Sequence, residues 1–141
     1  MSNRPDLTAA LRDWLLADAD IVGVIGHRLR PDGLEPEELL PAVAYTVLFD
    51  RPYQNNSGRA SMSEARIEYT AYASTRNAAD GLGRMLEARL EAAIVGVTSP
   101  RIDDLVIDNS YGRRDNPPKA SDAWRYLRRI DAVTNYQAIE G

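Results

Sequence analysis

The residues of this chain that could do chemistry are few and scattered. His27 is the sole histidine and there is no cysteine. Neither a His/Cys zinc site nor a thiol nucleophile can be assembled from such a set. A lone histidine working as a general base needs a carboxylate and a substrate pocket beside it. His27 instead follows Gly26 at the end of a helical stretch, where an imidazole commonly faces solvent or meets terminal carbonyls. Asp103, Asp104 and Asp108 fall on a stretch that reads as a strand. Neighbours on a strand point to opposite faces, so Asp103 and Asp104 do not form an acid–base pair there. Glu35, Glu37 and Glu38 surround Pro36 and read most simply as a solvated acidic segment. Gly81-Leu82-Gly83 lacks the Lys-Ser/Thr partner of a phosphate loop and follows no strand directly. No catalytic residue, metal ligand or cofactor is expected, although carboxylate-only chemistry stays open.

Binding is better represented. Arg113, Arg114, Arg125, Arg128 and Arg129 make the one basic concentration, with Trp124, Tyr126 and Tyr136 close by in sequence. Arginines interleaved with aromatics can grip single-stranded nucleic acid. The simpler reading has the aromatics in a core or an interface and the arginines paired with carboxylates, within the chain or across a subunit contact. Arginine suits such contacts through its planar, multi-donor head. The formal net charge of −4 at pH 7 also argues against a hold on a phosphate backbone. A second set, Tyr53, Gln54, Asn55, Asn56 and Arg59, sits in a polar stretch from 51 to 63. Structureless loops of that length are usually either functional or disordered; the alternative reading is a flexible hairpin tip. These ten residues are the expected protein–protein interface.

The elements that must position them follow from periodicity. Asp6 is a good cap for a helix whose Leu7, Leu11, Trp14 and Leu15 fall on one face. This helix should end near Ala17, with Arg12, Asp13 and Asp18 facing away. A short turn from Ile21 to Ile25 should stop at Gly26. Arg28 to Arg30 reads as a brief edge strand before the turn Pro31-Asp32-Gly33. Ala42 to Asp50 reads as a strand with Val43, Tyr45, Val47 and Phe49 on one face. Glu64 to Ser74 alternates cleanly, with Ala65, Ile67, Tyr69, Ala71 and Ala73 on the apolar side. Thr75 or Asn77 should cap a helix running to about Val95. Its expected buried stripe begins at Ala78 and Leu82, continues through Met85, Leu86 and Leu90, and ends at Ala93 and Ile94. Gly81 and Gly83 either weaken that helix or permit close packing. Ile102 to Tyr111 reads as a strand, Gly112 to Ser121 as a second polar loop, and Ala123 to Gln137 as a closing strand. On the last, Trp124, Tyr126, Ile130 and Ala132 share one parity.

The chain has 141 residues, which suits one domain spanning 1–141. Met1 to Asp6 carries no apolar run of the signal-peptide kind. No stretch approaches the roughly 18 apolar residues of a membrane span, so no membrane partner is expected. The sum is an α+β domain. Its mostly antiparallel sheet should have about four to five strands packed against two main helices, with long polar hairpin loops.

Five phrases, in order, carry a resemblance. They are Leu15 to Arg28 with its Leu-Leu-Ala-Asp opening, Leu40-Pro41-Ala42-Val43-Ala44-Tyr45, the strand 65–73, the leucine-spaced helix from Ala78 to Leu90, and the closing strand 124–134. In order and spacing this chain resembles the tail completion proteins of long-tailed phages, the tail terminators, over nearly its whole length. The acidic segment 35–38 and the Pro117-Pro118 loop depart from that pattern. The resemblance implies a non-enzymatic virion subunit, in phages, prophages or gene-transfer agents. Six copies would form a ring that caps the completed tail tube, ends its polymerisation and joins it to the head. Implied partners are other copies of the chain, the major tail tube protein and a head-completion or neck protein. DNA would pass the lumen without specific binding, and a lumen of acidic or neutral character would suit that passage. Implied locations are the bacterial host cytoplasm during assembly and then the virion. Other readings are a different neck component, such as a head-completion stopper or connector, and a small α+β ligand-binding domain or enzyme.

Overall fold

A computed structural model describes residues 6–35, 37–52, 62–115 and 125–137. Helix α1, Leu7–Leu16, starts where expected because the Asp6 carboxylate accepts from the Ala9 amide at 3.1 Å. Asp18 does not simply face away. Its carboxylate accepts from the amides of Asp20 and Ile21, so it caps α2, Ala19–Ile25. Gly26 closes α2 at φ +61°, a backbone region open to glycine at little cost. The Thr75 hydroxyl, rather than Asn77, caps α3, Arg76–Glu91. The expected single helix to Val95 breaks at Ala92, and a short α4, Ala93–Gly96, follows.

The strands are β1 (Leu29–Pro31), β2 (Ala42–Pro52), β3 (Met62–Ala73), β4 (Ile102–Asp115) and β5 (Arg125–Gln137). They form one sheet in the order β1-β2-β3-β5-β4. Only the short β1–β2 pair is parallel; the other three pairs are antiparallel. The fold class is therefore the expected α+β.

Several boundaries differ from the sequence reading. β4 continues through Asp115, so Arg113 and Arg114 lie on a strand and not in a polar loop. β2 runs to Pro52 and β3 begins at Met62, so residues 51, 52, 62 and 63 lie on strands and not in the expected polar loop. Tyr53, Gln54, Asn55, Asn56 and Arg59 lie outside the described residues, as do Trp124 and Pro117-Pro118. A bulge between Val47 and Phe49 breaks the alternation of β2 and puts Phe49 in register with Arg66, off the face shared by Val43, Tyr45 and Val47; Val47 stays on that face but is 40% exposed.

The helices pack on one face of the sheet. Leu7, Leu11 and Leu15 of α1 join Leu82, Leu86 and Leu90 of α3 in the core. From the sheet come Ala65, Ile67, Tyr69 and Ala71 of β3, and Ile130, Ala132 and Tyr136 of β5. Fully burying each leucine is worth about 1.5–3 kcal/mol. The α3 stripe is turned slightly from expectation: Ala79 is buried while Ala78 is exposed, and Ile94 is 40% exposed because α4 departs from the α3 axis. Gly83 sits where α3 meets the sheet, and a Cβ there would lie 2.5 Å from Cγ of Arg128.

Candidate functional site

The face of the sheet turned away from the helices carries charge in registered rows. Arg66 donates to Asp108 at 2.7 Å and reaches Asp131 at 3.4 Å. Its guanidinium holds its proton more tightly than usual, chiefly through the hydrogen bond to Asp108. Arg129 lies 3.3 Å from Glu68 and donates to the Tyr111 hydroxyl at 3.1 Å. Burial pulls its pKa down, but Glu68 and Tyr111 outweigh that and raise it. Arg125 lies over Tyr72, with Cζ 5.4 Å from the ring centroid, and Arg51 lies over Phe49 at 4.6 Å. Thr70 and Leu127 are buried on this uncovered face. In the register Leu127 sits between Tyr72 and Arg113, and long side chains can shield small ones in this way. Partly exposed pairs of this kind are weak stabilisers, so the array orders the face more than it stabilises the fold.

The five arginines expected to work together are divided between the two faces. Arg113, Arg125 and Arg129 belong to the rows of the open face, whereas Arg114 and Arg128 belong to the helix side. Arg128 donates to Ser110 at 3.0 Å and lies 3.6 Å from Asp80 of α3. The pairing of Arg128 and Arg129 with carboxylates follows the simpler sequence reading. Arg76, Asp80, Gly112, Arg113, Leu127 and Arg128 line a shallow cavity of about 180 Å³ at the start of α3. A second hollow, of about 310 Å³, lies between α2 and α3 beside Asp18, Asp20, Met85 and Arg89.

The candidate catalytic groups do not converge. His27 is exposed in the turn between α2 and β1. Asp103 occupies a bulge in β4 and accepts from Gln137 at 2.8 Å, while Asp104 rejoins the register opposite Asn135. Glu38 is held by Arg30 at 2.7 Å. Among the described residues, no group of three or more His, Cys, Asp or Glu could hold a metal ion.

Sequence reasoning missed two surfaces, because both depend on strand order. Among the described residues, β4 is an edge of the sheet along its 14 residues. Among the described residues, β1 pairs with β2 only as far as Tyr45, so no described strand lies beside Thr46–Pro52 on that side. The exposed apolar side chains Val47 and Leu48 lie on the β2 edge, and Val106 and Tyr111 on the β4 edge. The strand ends leading into 53–61 sit beside Gln137, whereas those leading into 116–124 sit past Ala73. The two hairpins therefore open at opposite ends of the sheet.

No protein-family model and no curated protein matches this chain. Among solved structures, it is similar to a chain of the "Virion of native gene transfer agent (GTA) particle", with a TM-score of 0.63 and 14% identity. The match covers 92% of this chain and 94% of that one. At such identity the likeness is one of fold, and it extends over almost the whole of both chains.

Proposed function

We propose that this chain is a structural subunit of a phage-like virion, and that it serves as the tail terminator. In this reading, six copies form a ring on the finished tail tube. The ring ends tube growth and offers a docking face to the head-completion or neck protein. The observation that carries it is the fold shared, nearly end to end, with a chain of a gene-transfer-agent virion. The order of sequence phrases at residues 15–28, 40–45 and 65–73 supports the finer assignment.

Three features of the molecule suit that role. Hairpins that open at opposite ends of the sheet give one subunit a contact towards the tube and another towards the head. Candidate contacts are Tyr53, Gln54, Asn55, Asn56 and Arg59 on one hairpin, with Arg113, Arg114 and Arg125 towards the other. Basic residues divided between two faces, on a chain of net charge −4, give no single stripe for holding DNA as it passes. Polar groups committed to surface ion pairs fit a subunit that assembles rather than catalyses.

Native mass across a concentration series, followed by sedimentation with purified tail tubes, tests the reading. A six-subunit species, or co-sedimentation with tubes that then stop growing, is the expected result. A chain that stays monomeric and ignores tubes but binds isolated heads would overturn the terminator assignment in favour of another neck component.

A further inference from the structure

The register across the sheet puts residues of the two described edges, β2 and β4, at the same heights. Arg51, Glu64, Asn135 and Asp104 form one row, so Arg51 on the β2 edge is level with Asp104 on the β4 edge. Phe49, Arg66, Val133 and Val106 form the row two further along. Arg30 of β1 is level with Tyr111, and Ala42 with Arg113. The connection from β1 back to Ala42 carries exposed Asp32, Glu35 and Glu37.

The two flanks are complementary over these heights. From one end the β4 flank is acidic (Asp104), apolar (Val106), acidic again (Asp108) and aromatic (Tyr111). Over the same heights the β2–β1 flank is basic (Arg51), apolar (Leu48, Val47) and again basic (Arg30). β4 also runs antiparallel to β2, as the alternation of pairings requires. A β4 edge laid beside the β2 edge of another copy thus meets it in the favourable antiparallel sense.

We infer that copies of this chain associate head to tail, the β4 flank of one against the β2–β1 flank of the next, with Asp104 facing Arg51. This inference deepens the ring reading, which it rests on for closure, by naming the surfaces that meet. Heterologous contact of this kind closes into a ring when the rotation between copies permits. A two-fold β4–β4 contact would also bring Asp104 near Arg113, but it would leave exposed Val47 and Leu48 on the β2 edge uncovered, and it cannot build a ring alone.

The absence of cysteine makes disulfide trapping clean. β2 and β4 are three strand spacings apart, about 14 Å, whereas a disulfide needs Cα atoms within about 7 Å. No bond between positions 51 and 104 can form inside one chain. Full-length Arg51→Cys and Asp104→Cys variants are mixed and oxidised, and a double variant is oxidised alone. The expected results are a covalent dimer in the mixture and a ladder of multimers from the double variant. Separately, Arg51→Glu or Asp104→Arg should weaken association about tenfold, and the two reversals together should restore it.

A bond between Asp104→Cys and Arg113→Cys, without one between 51 and 104, would overturn the inference in favour of the two-fold contact. Six-subunit wild-type protein with no 51–104 bond would overturn it while sparing the ring reading. Monomeric wild-type protein that gives no bond and ignores tail tubes would overturn both.

Discussion

Tyr69 is buried in β3, with its ring centroid 6.3 Å from that of Tyr45. Burial pushes its phenol pKa upward, with a smaller contribution from Tyr45. The folded state therefore keeps a proton that the unfolded chain releases near pH 10. The stability linked to that proton is complete below about pH 10 and is lost as pH rises beyond it. Tyr69→Phe should leave stability at pH 7 nearly unchanged and move the alkaline unfolding midpoint upward, as read by circular dichroism. An unchanged midpoint would show that another group governs alkaline unfolding. Leu11 offers a simpler case. It is fully buried between the helices and the sheet, and Leu11→Ala should cost about 2–5 kcal/mol in denaturant unfolding.

Helix α3 contains a matched pair of glycines with opposite expected effects. A Cβ at Gly81 would meet nothing within 4 Å, so Gly81→Ala should gain about 0.5–1 kcal/mol from helix propensity. A Cβ at Gly83 would strike the stem of Arg128, and Gly83→Ala should cost about 1–3 kcal/mol by overpacking. Chemical denaturation of the two variants checks both signs. At the sequence level these glycines were indistinguishable, because the difference lies in which face of α3 meets β5. The same limit explains what else was and was not legible. The Asp6 cap, the leucine stripe of α1 and the alternation of β3 are local patterns, and they were readable. The length of β4 was not, because Gly112 and two arginines look like a turn when the partner strand is unseen. Nor was the bulge at Val47, which depends on β3. The ten interface candidates were chosen by residue type. Placing five of them on two faces needed the pairing of β4 with β5.

At the scale of the molecule, one face of the sheet is packed under helices and the other carries registered ion pairs, flanked by the β2 and β4 edges. Association through charged flanks should weaken as salt rises, since screening shortens the reach of exposed charges to about 8 Å near physiological ionic strength. Sedimentation velocity at low and high sodium chloride should show the larger species giving way to smaller ones. An assembly indifferent to salt would point to a mainly apolar contact.

The helical layer has one more property. Trp14 stacks under Arg89 at 3.3 Å, donates to the Arg89 carbonyl at 2.6 Å, and sits where a Cβ on Gly96 would collide with its ring. In return Arg89 donates to the Trp14 carbonyl at 2.9 Å. The partners are 75 residues apart. The Trp14 indole therefore changes its surroundings only when α1 and α3 are brought together across that gap. With Trp124→Phe to remove the other indole, Trp14 fluorescence during refolding would time the docking of these two helices separately from the formation of strands.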